Sequence, residues 1–253
     1  MKILNYKGLI KQLIRYHLFA RYKKTILGYF WTLVTPLLMA GITAIVFSVI
    51  FKTNLNDFVV FLFSGLIAWN LFNMMLTQGT TVFLHYENLL KKVYLPRIIF
   101  PVATSLSILI DSVLSSLAFL IICIYMGSQL SIDLLFILLA FILLYIFSFG
   151  IMLALASMTV MYRDIPHIIT VLLQAFFFLT PILYDKSMLS GKLAELMVYN
   201  PLIYFIDLFR LPVIYNKVPE LSLIITCSIL SAISLTIGYY IFRKTKDKLT
   251  LYL

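Results

Sequence analysis

Side chains able to do covalent or acid–base chemistry are scarce in this 253-residue sequence, which holds ten Asp or Glu, three His and two Cys. A membrane-embedded hydrolase or transferase needs convergent acids or histidines, whereas Glu87, Asp164 and Asp247 stand singly. His17, His85 and His167 fall near predicted helix ends, where headgroup or solvent contact is expected. Cys123 and Cys227 lie inside apolar runs without the spacing of a zinc site and read as small packing residues. There is no G-x-x-x-x-G-K-[ST] phosphate loop, so ATP is not bound by that route. Asp111 is ionisable near the middle of an apolar run. An ion relay needs several such groups, which makes a hydrogen-bonded packing role, or a position nearer the interface, the plainer expectation.

Binding chemistry remains. Arg21, Tyr22, Lys23 and Lys24 combine cations with an interfacial ring, a set able to pair phosphate oxygens of a lipid-diphosphate headgroup, or simply to anchor on anionic lipid. The aromatic faces of Tyr29, Phe30, Trp31, Trp69, Phe72, Phe176, Phe177 and Phe178 suit the apolar faces of sugar rings, and suit belt or core packing equally well. Asp207 and Arg210, three apart on one helical face behind Asn200-Pro201, are able to pair as an outer gate or as a structural plug.

These side chains must be positioned by membrane helices. The sequence is 62% hydrophobic and 12% charged, where soluble domains carry about 25% charged residues. Its net charge of +10 points to an anionic membrane surface, since no nucleic-acid-binding module surrounds the basic residues. Residues 4–22 set Leu9, Leu13, Tyr16 and His17 to Ala20 against Lys7, Lys11, Arg15 and Lys23, the pattern of a basic amphipathic helix in the interface. The N-terminus has no small-residue cleavage site and does not read as a removable signal peptide.

Apolar spans are predicted at 29–51, 58–80, 98–126, 132–161, 166–184 and 221–242, with kinks at Pro36 and Pro101. The stretch 193–215 is apolar, yet it carries Glu195, Asp207 and Arg210 and is broken at Asn200-Pro201. Two short re-entrant helices between spans five and six fit it better than a seventh span. Six spans place fifteen of the twenty Lys and Arg on one side, which the positive-inside rule makes cytoplasmic, with both termini inside. The expected organisation is one all-α membrane domain: interface helix 1–28, spans one to five 29–184, outer re-entrant segment 185–219, and span six with a cytoplasmic tail 220–253.

Five segments, in order, resemble one family. RYKKTILGYFWTLVTPLL (21–38), ENLLKKVYLPRIIFPV (87–102), YRDIPHII (162–169), FLTPILYD (178–185) and YNPLIYFIDLFR (199–210) are similar to the span-end segments of ABC-2 type permeases that export lipid-linked polysaccharide. The resemblance implies a homodimer in the inner membrane joined to two copies of an ATPase subunit. That partner binds the ATP and Mg²⁺, and the chain itself carries no cofactor. It implies a lipid-diphosphate-linked glycan, foremost O-antigen, as cargo. Teichoic acid, capsule or a small hydrophobic compound are the alternatives within the fold, and a membrane enzyme acting on lipid-linked sugars lies further off. Coupling to the ATPase is expected through the turn at 85–97, with exposed Glu87, Lys91 and Lys92 and apolar Leu89 and Leu90 docking in a groove of the partner. Arg163 and Asp164 form the second contact, or else a local ion pair.

Overall fold

A computed structural model describes residues 6–20, 24–125, 132–188, 191–192, 195, 197, 199–246 and 249. The chain is an all-α integral membrane protein, and no strand occurs among the described residues. Its helices are α1 (Lys7–Ala20), α2 (Trp31–Phe51), α3 (Leu55–Thr80), α4 (Val82–His85), α5 (Glu87–Lys92), α6 (Ile99–Tyr125), α7 (Phe136–Thr159), α8 (Ile165–Phe178), α9 (Pro201–Ile214) and α10 (Leu221–Thr245). Five of them, α2, α3, α6, α7 and α10, are long and apolar enough to cross a membrane.

At what we term the near end of the bundle, α1 lies along α6. Leu13 of α1 joins Val82, Phe83, Tyr86, Phe100, Leu153 and Phe242 in a core of its own. Lys7, Lys11 and Arg15 are exposed on the opposite face, as the amphipathic pattern requires. Tyr16 differs from the expectation and is 64% exposed, because Leu9, Ile10, Leu13 and Ile14 already fill the buried stripe.

The two prolines behave differently. Pro36 sits on the second turn of α2 and cannot donate to the Thr32 carbonyl four residues back. Ser115 of α6 donates to that carbonyl instead, at 3.3 Å, so a neighbouring helix satisfies the freed group. Pro101 lies in the first turn of α6, where its missing N–H breaks no intrahelical bond, so the kink expected there has no cause.

Helices α7 and α10 cross in backbone contact. A Cβ on Gly150 would lie 2.4 Å from the Ser234 carbonyl, and one on Gly238 would lie 1.9 Å from the Gly150 oxygen. Around this crossing Ser231 and Ser234 of α10 donate to the Leu143 and Phe147 carbonyls of α7 at 2.7 and 2.6 Å. Cys227, fully buried, continues the same stripe of small residues, a packing device suited to lipid, where burial of apolar surface offers little between helices. The side chain of Cys123 lies outside the described part.

The predicted fifth span departs most from expectation. Helix α8 has 14 residues, about 21 Å at 1.5 Å each against about 30 Å of hydrocarbon. It stops at Phe178 because Pro181 has no N–H and disfavours helical backbone at Thr180. The chain then runs irregularly through Thr180, Pro181, Ile182 and Leu183, all buried. Buried backbone must be satisfied locally. Asn200 donates to the Leu179 carbonyl at 3.3 Å and to the Thr180 hydroxyl at 2.9 Å, and Arg210 donates to the Ile182 carbonyl at 3.2 Å.

Helix α9 is also too short to cross. Its Phe205 ring meets Phe147, midway along α7, at 4.9 Å, and its Phe209 ring meets Phe141 at 5.0 Å. The helix therefore begins deep in the bundle and climbs toward the far end. Of the two short re-entrant helices expected over 193–215, α9 is the second, and the first falls largely outside the described residues.

Candidate functional site

Three groups of residues carry the chemistry identified in the sequence. At the near end, α4, Tyr86 and α5 form the turn between α3 and α6. Lys91 bonds to Glu87 one helical turn away. That hydrogen bond, then the charges of Lys91 and of Arg163, hold the Glu87 carboxyl below the usual carboxylate range. The charge of Arg163, in the turn after α7, acts on Glu87, and Val160 and Leu90 belong to the same near-end core, so both segments expected to meet a partner lie at that end.

Leu89 and Leu90 do not project from it. Both are half-buried and pack inward on the near-end core. The exposed apolar side chains of this turn are Val93 and Tyr94, the latter 92% exposed. They follow the last helical residue, where extended backbone at Val93 redirects them outward. Asp164 is exposed at the start of α8, and no ion pair between it and Arg163 occurs among the described residues.

The same turn is tied to α1. The Tyr86 hydroxyl lies 2.6 Å from His17 Nε2, which is also 3.0 Å from the Thr104 hydroxyl of α6. Burial, with the charge of Tyr16 adding, pushes the Tyr86 phenol up to about 12. His17 is therefore a half-buried member of a hydrogen-bond network rather than a solvated residue. A lone histidine in an amphipathic pattern gives no sequence signal of that.

The α1–α2 junction is the second group. Arg21, Tyr22 and Lys23 lie outside the described residues. Lys24 is exposed in left-handed backbone, φ 78°. Tyr29 donates to the Asp111 carboxylate in the middle of α6 and packs on Phe19. This gives Asp111 the hydrogen-bonded role expected of it and commits the Tyr29 hydroxyl to the fold. Phe30 and Trp31 beside it are exposed.

Trp69, Phe72, Phe176 and Phe177 come together at the bundle centre. Trp69 meets Phe177 edge-on at 5.2 Å, and Phe72 lies 6.4 Å from Phe176 and 6.1 Å from Phe147. Trp69 and Phe72 are buried within the subunit, so the aromatic faces open to a passing ligand are Phe30, Trp31 and the exposed Phe178.

At the far end, Asn200 caps α9 through the Leu202 N–H with Pro201 at the first helical position, while its amide holds the irregular strand beyond α8. Asp207 does not pair directly with Arg210. It bonds to Lys186 at the end of that strand, and Arg210 turns to the Ile182 carbonyl and lies 3.9 Å from the Phe61 ring centroid. Gly65 leaves the room, since a Cβ there would sit 3.1 Å from the guanidinium. A four-residue register cannot reveal this, because the competing partners lie 21 and 28 residues away in sequence.

Comparison with known proteins agrees with this layout. Residues 8–213 match the family described as ABC-2 type transporter, from α1 to the end of α9. The chain is 25% identical over 249 residues to the O-antigen export system permease protein RfbA of Myxococcus xanthus, covering 98% of this chain and 96% of that one. It is 27% identical over 230 residues to the protein of the same name from Klebsiella pneumoniae, covering 89% and 87%.

Proposed function

The chain belongs to the ABC-2 type transporter family, and on that premise we propose that it is the membrane subunit of an ATP-driven exporter carrying lipid-diphosphate-linked polysaccharide, foremost O-antigen, out across the inner membrane. The observation that carries this is the similarity, over 98% and 89% of the chain, to permeases named for O-antigen export.

The near end faces the cytoplasm in this reading, consistent with the fifteen basic residues assigned to that side. A separate subunit binds the ATP and Mg²⁺ and hydrolyses the nucleotide. It engages the near-end turns that carry α5, the exposed Tyr94 ring and Arg163, which offer charged side chains and an aromatic anchor. Because Tyr86 links α5 to His17, a push on this surface is transmitted to α1 and to the Lys24–Trp31 junction, where cations and aromatic faces receive the diphosphate and the first sugars.

Two copies of the chain enclose the path. The outward side of α2 suits both lipid and a second copy, since only Thr32, Ala40, Ala44 and Ser48 are buried along its length.

The test is co-expression with the neighbouring ATPase, subunit stoichiometry by native mass spectrometry, and ATP turnover with and without lipid-diphosphate glycan. A two-plus-two complex whose turnover responds to the glycan is expected, with Tyr94→Ala weakening ATPase association at least about tenfold, as a buried aromatic anchor does. A chain that copurifies with no ATPase refutes the assignment.

A further inference from the structure

Between the far ends of α3, α9 and α10 lies a cleft of about 600 Å³, within the roughly 300–1,000 Å³ of small-molecule sites. Its charged side chains are Arg210, Lys186 and Lys217 against Asp185, Asp207 and Glu220, three of each sign. Such a balance selects neither an anion nor a cation. It offers both donors and acceptors, which is what a neutral, many-hydroxyl ligand requires. Phe61, Tyr204 and Tyr215 supply ring faces on the same walls.

The cleft is also built rather than incidental. Arg210 is only 5% exposed, held over Phe61 in the space that Gly65 leaves, and its Nε has no hydrogen-bond partner among the described residues. A buried unpaired guanidinium N–H is costly, so Arg210 is held at this wall by the surrounding fold rather than left there incidentally.

We propose that this cleft is a carbohydrate subsite that holds neutral sugar residues of the cargo as they leave the far end of the bundle. It rests on the export reading above and adds to it where the glycan is gripped. A path for a long chain must bind well enough to guide and weakly enough to release. A charge-balanced, aromatic-walled cleft at the far ends of the crossing helices meets both conditions, and it makes that end of the bundle part of cargo selection.

The test uses the full complex with its ATPase in nanodiscs. Val218, exposed on the cleft rim, is replaced by Cys (V218C) in a Cys123→Ser background, with Thr53→Cys as an exposed far-end control. The probe is a set of delipidated oligosaccharides from the host's own surface polysaccharide. At about three times their Kd, maleimide labelling at position 218 slows about fourfold and labelling at position 53 is unchanged. Tyr215→Ala abolishes the protection, and Tyr204→Leu provides a second variant should the first disturb folding.

Unchanged labelling at position 218, or equal slowing at both positions, overturns the subsite. So does protection by glycerol phosphate in place of the oligosaccharides, which would identify an anion site. ATP turnover with lipid-linked glycan is read on the same samples. Stimulated turnover without protection sinks the subsite alone, whereas a complex indifferent to the lipid-linked glycan sinks the export reading itself.

Discussion

Alanine at the glycines of this bundle should shift stability by different amounts, because each added methyl meets a different obstacle. At Gly41 nothing lies within 4 Å, so Gly41→Ala gains only the helix preference of Ala over Gly, about 0.5–1 kcal/mol. At Gly79 the methyl meets Cγ of the fully buried Met152 at 2.3 Å, an overpacking that costs about 1–3 kcal/mol but shifts no backbone partner. At Gly150 it meets the Ser234 backbone at 2.4 Å, so α7 and α10 must part by about 1 Å to regain the 3.4 Å of ordinary contact. That shift stretches the Ser231 and Ser234 hydrogen bonds beyond range, at about 0.6 kcal/mol each in lipid. It also forfeits a quarter to a half of each dispersion contact along the crossing, about 1–2 kcal/mol more. Net of helix preference, Gly150→Ala costs about 2 kcal/mol. Gly238→Ala, starting from 1.9 Å, costs about 3 kcal/mol. Heating in detergent followed by size-exclusion chromatography reads this as a Tm unchanged or raised for Gly41→Ala and lowered by about 4–12 °C for the two crossing glycines. Equal Tm values for Gly41→Ala and Gly238→Ala would refute the backbone contact.

Two further substitutions probe the polar joints. Asn200→Ala removes a helix cap and two donors to the irregular strand, for about 2–4 kcal/mol, while Asn200→Asp keeps the cap but cannot donate to the Leu179 carbonyl and recovers only about 1 kcal/mol of it; a fully stable Asn200→Asp in the same thermal assay contradicts the assignment. Tyr29→Phe and Asp111→Ala, taken singly and together, should show a coupling of about 0.5–3 kcal/mol, and strict additivity would mean that the two side chains do not meet.

The fold was legible wherever one segment decides it. Hydropathy alone located the five crossing helices, and the spacing of Lys7, Lys11 and Arg15 located α1. The break at Asn200-Pro201 and the charges at Asp207 and Arg210 were enough to deny a seventh span. What escaped was whatever depends on a distant partner. Asp207 had two cations to choose from, Arg210 at three residues and Lys186 at 21, and tertiary geometry chose the remote one. Leu89 and Leu90 read as outward because a six-residue helix is too short to define a face, whereas the near-end core draws them in. Ser231, Ser234 and Gly238 were uninformative singly, and their spacing acquires meaning only opposite Gly150.

The irregular strand after α8 constrains how the protein is made. Its Leu179 and Ile182 carbonyls depend on Asn200 and Arg210, side chains synthesised 21 and 28 residues later. A ribosome-bound intermediate ending near residue 190 would offer bare backbone to hydrocarbon, at several kcal/mol per unsatisfied group. The segment from α8 to α9 therefore leaves the translocon for lipid as one unit, after Arg210 has emerged. Chains truncated between residues 185 and 200 should be retained by the insertion machinery and degraded.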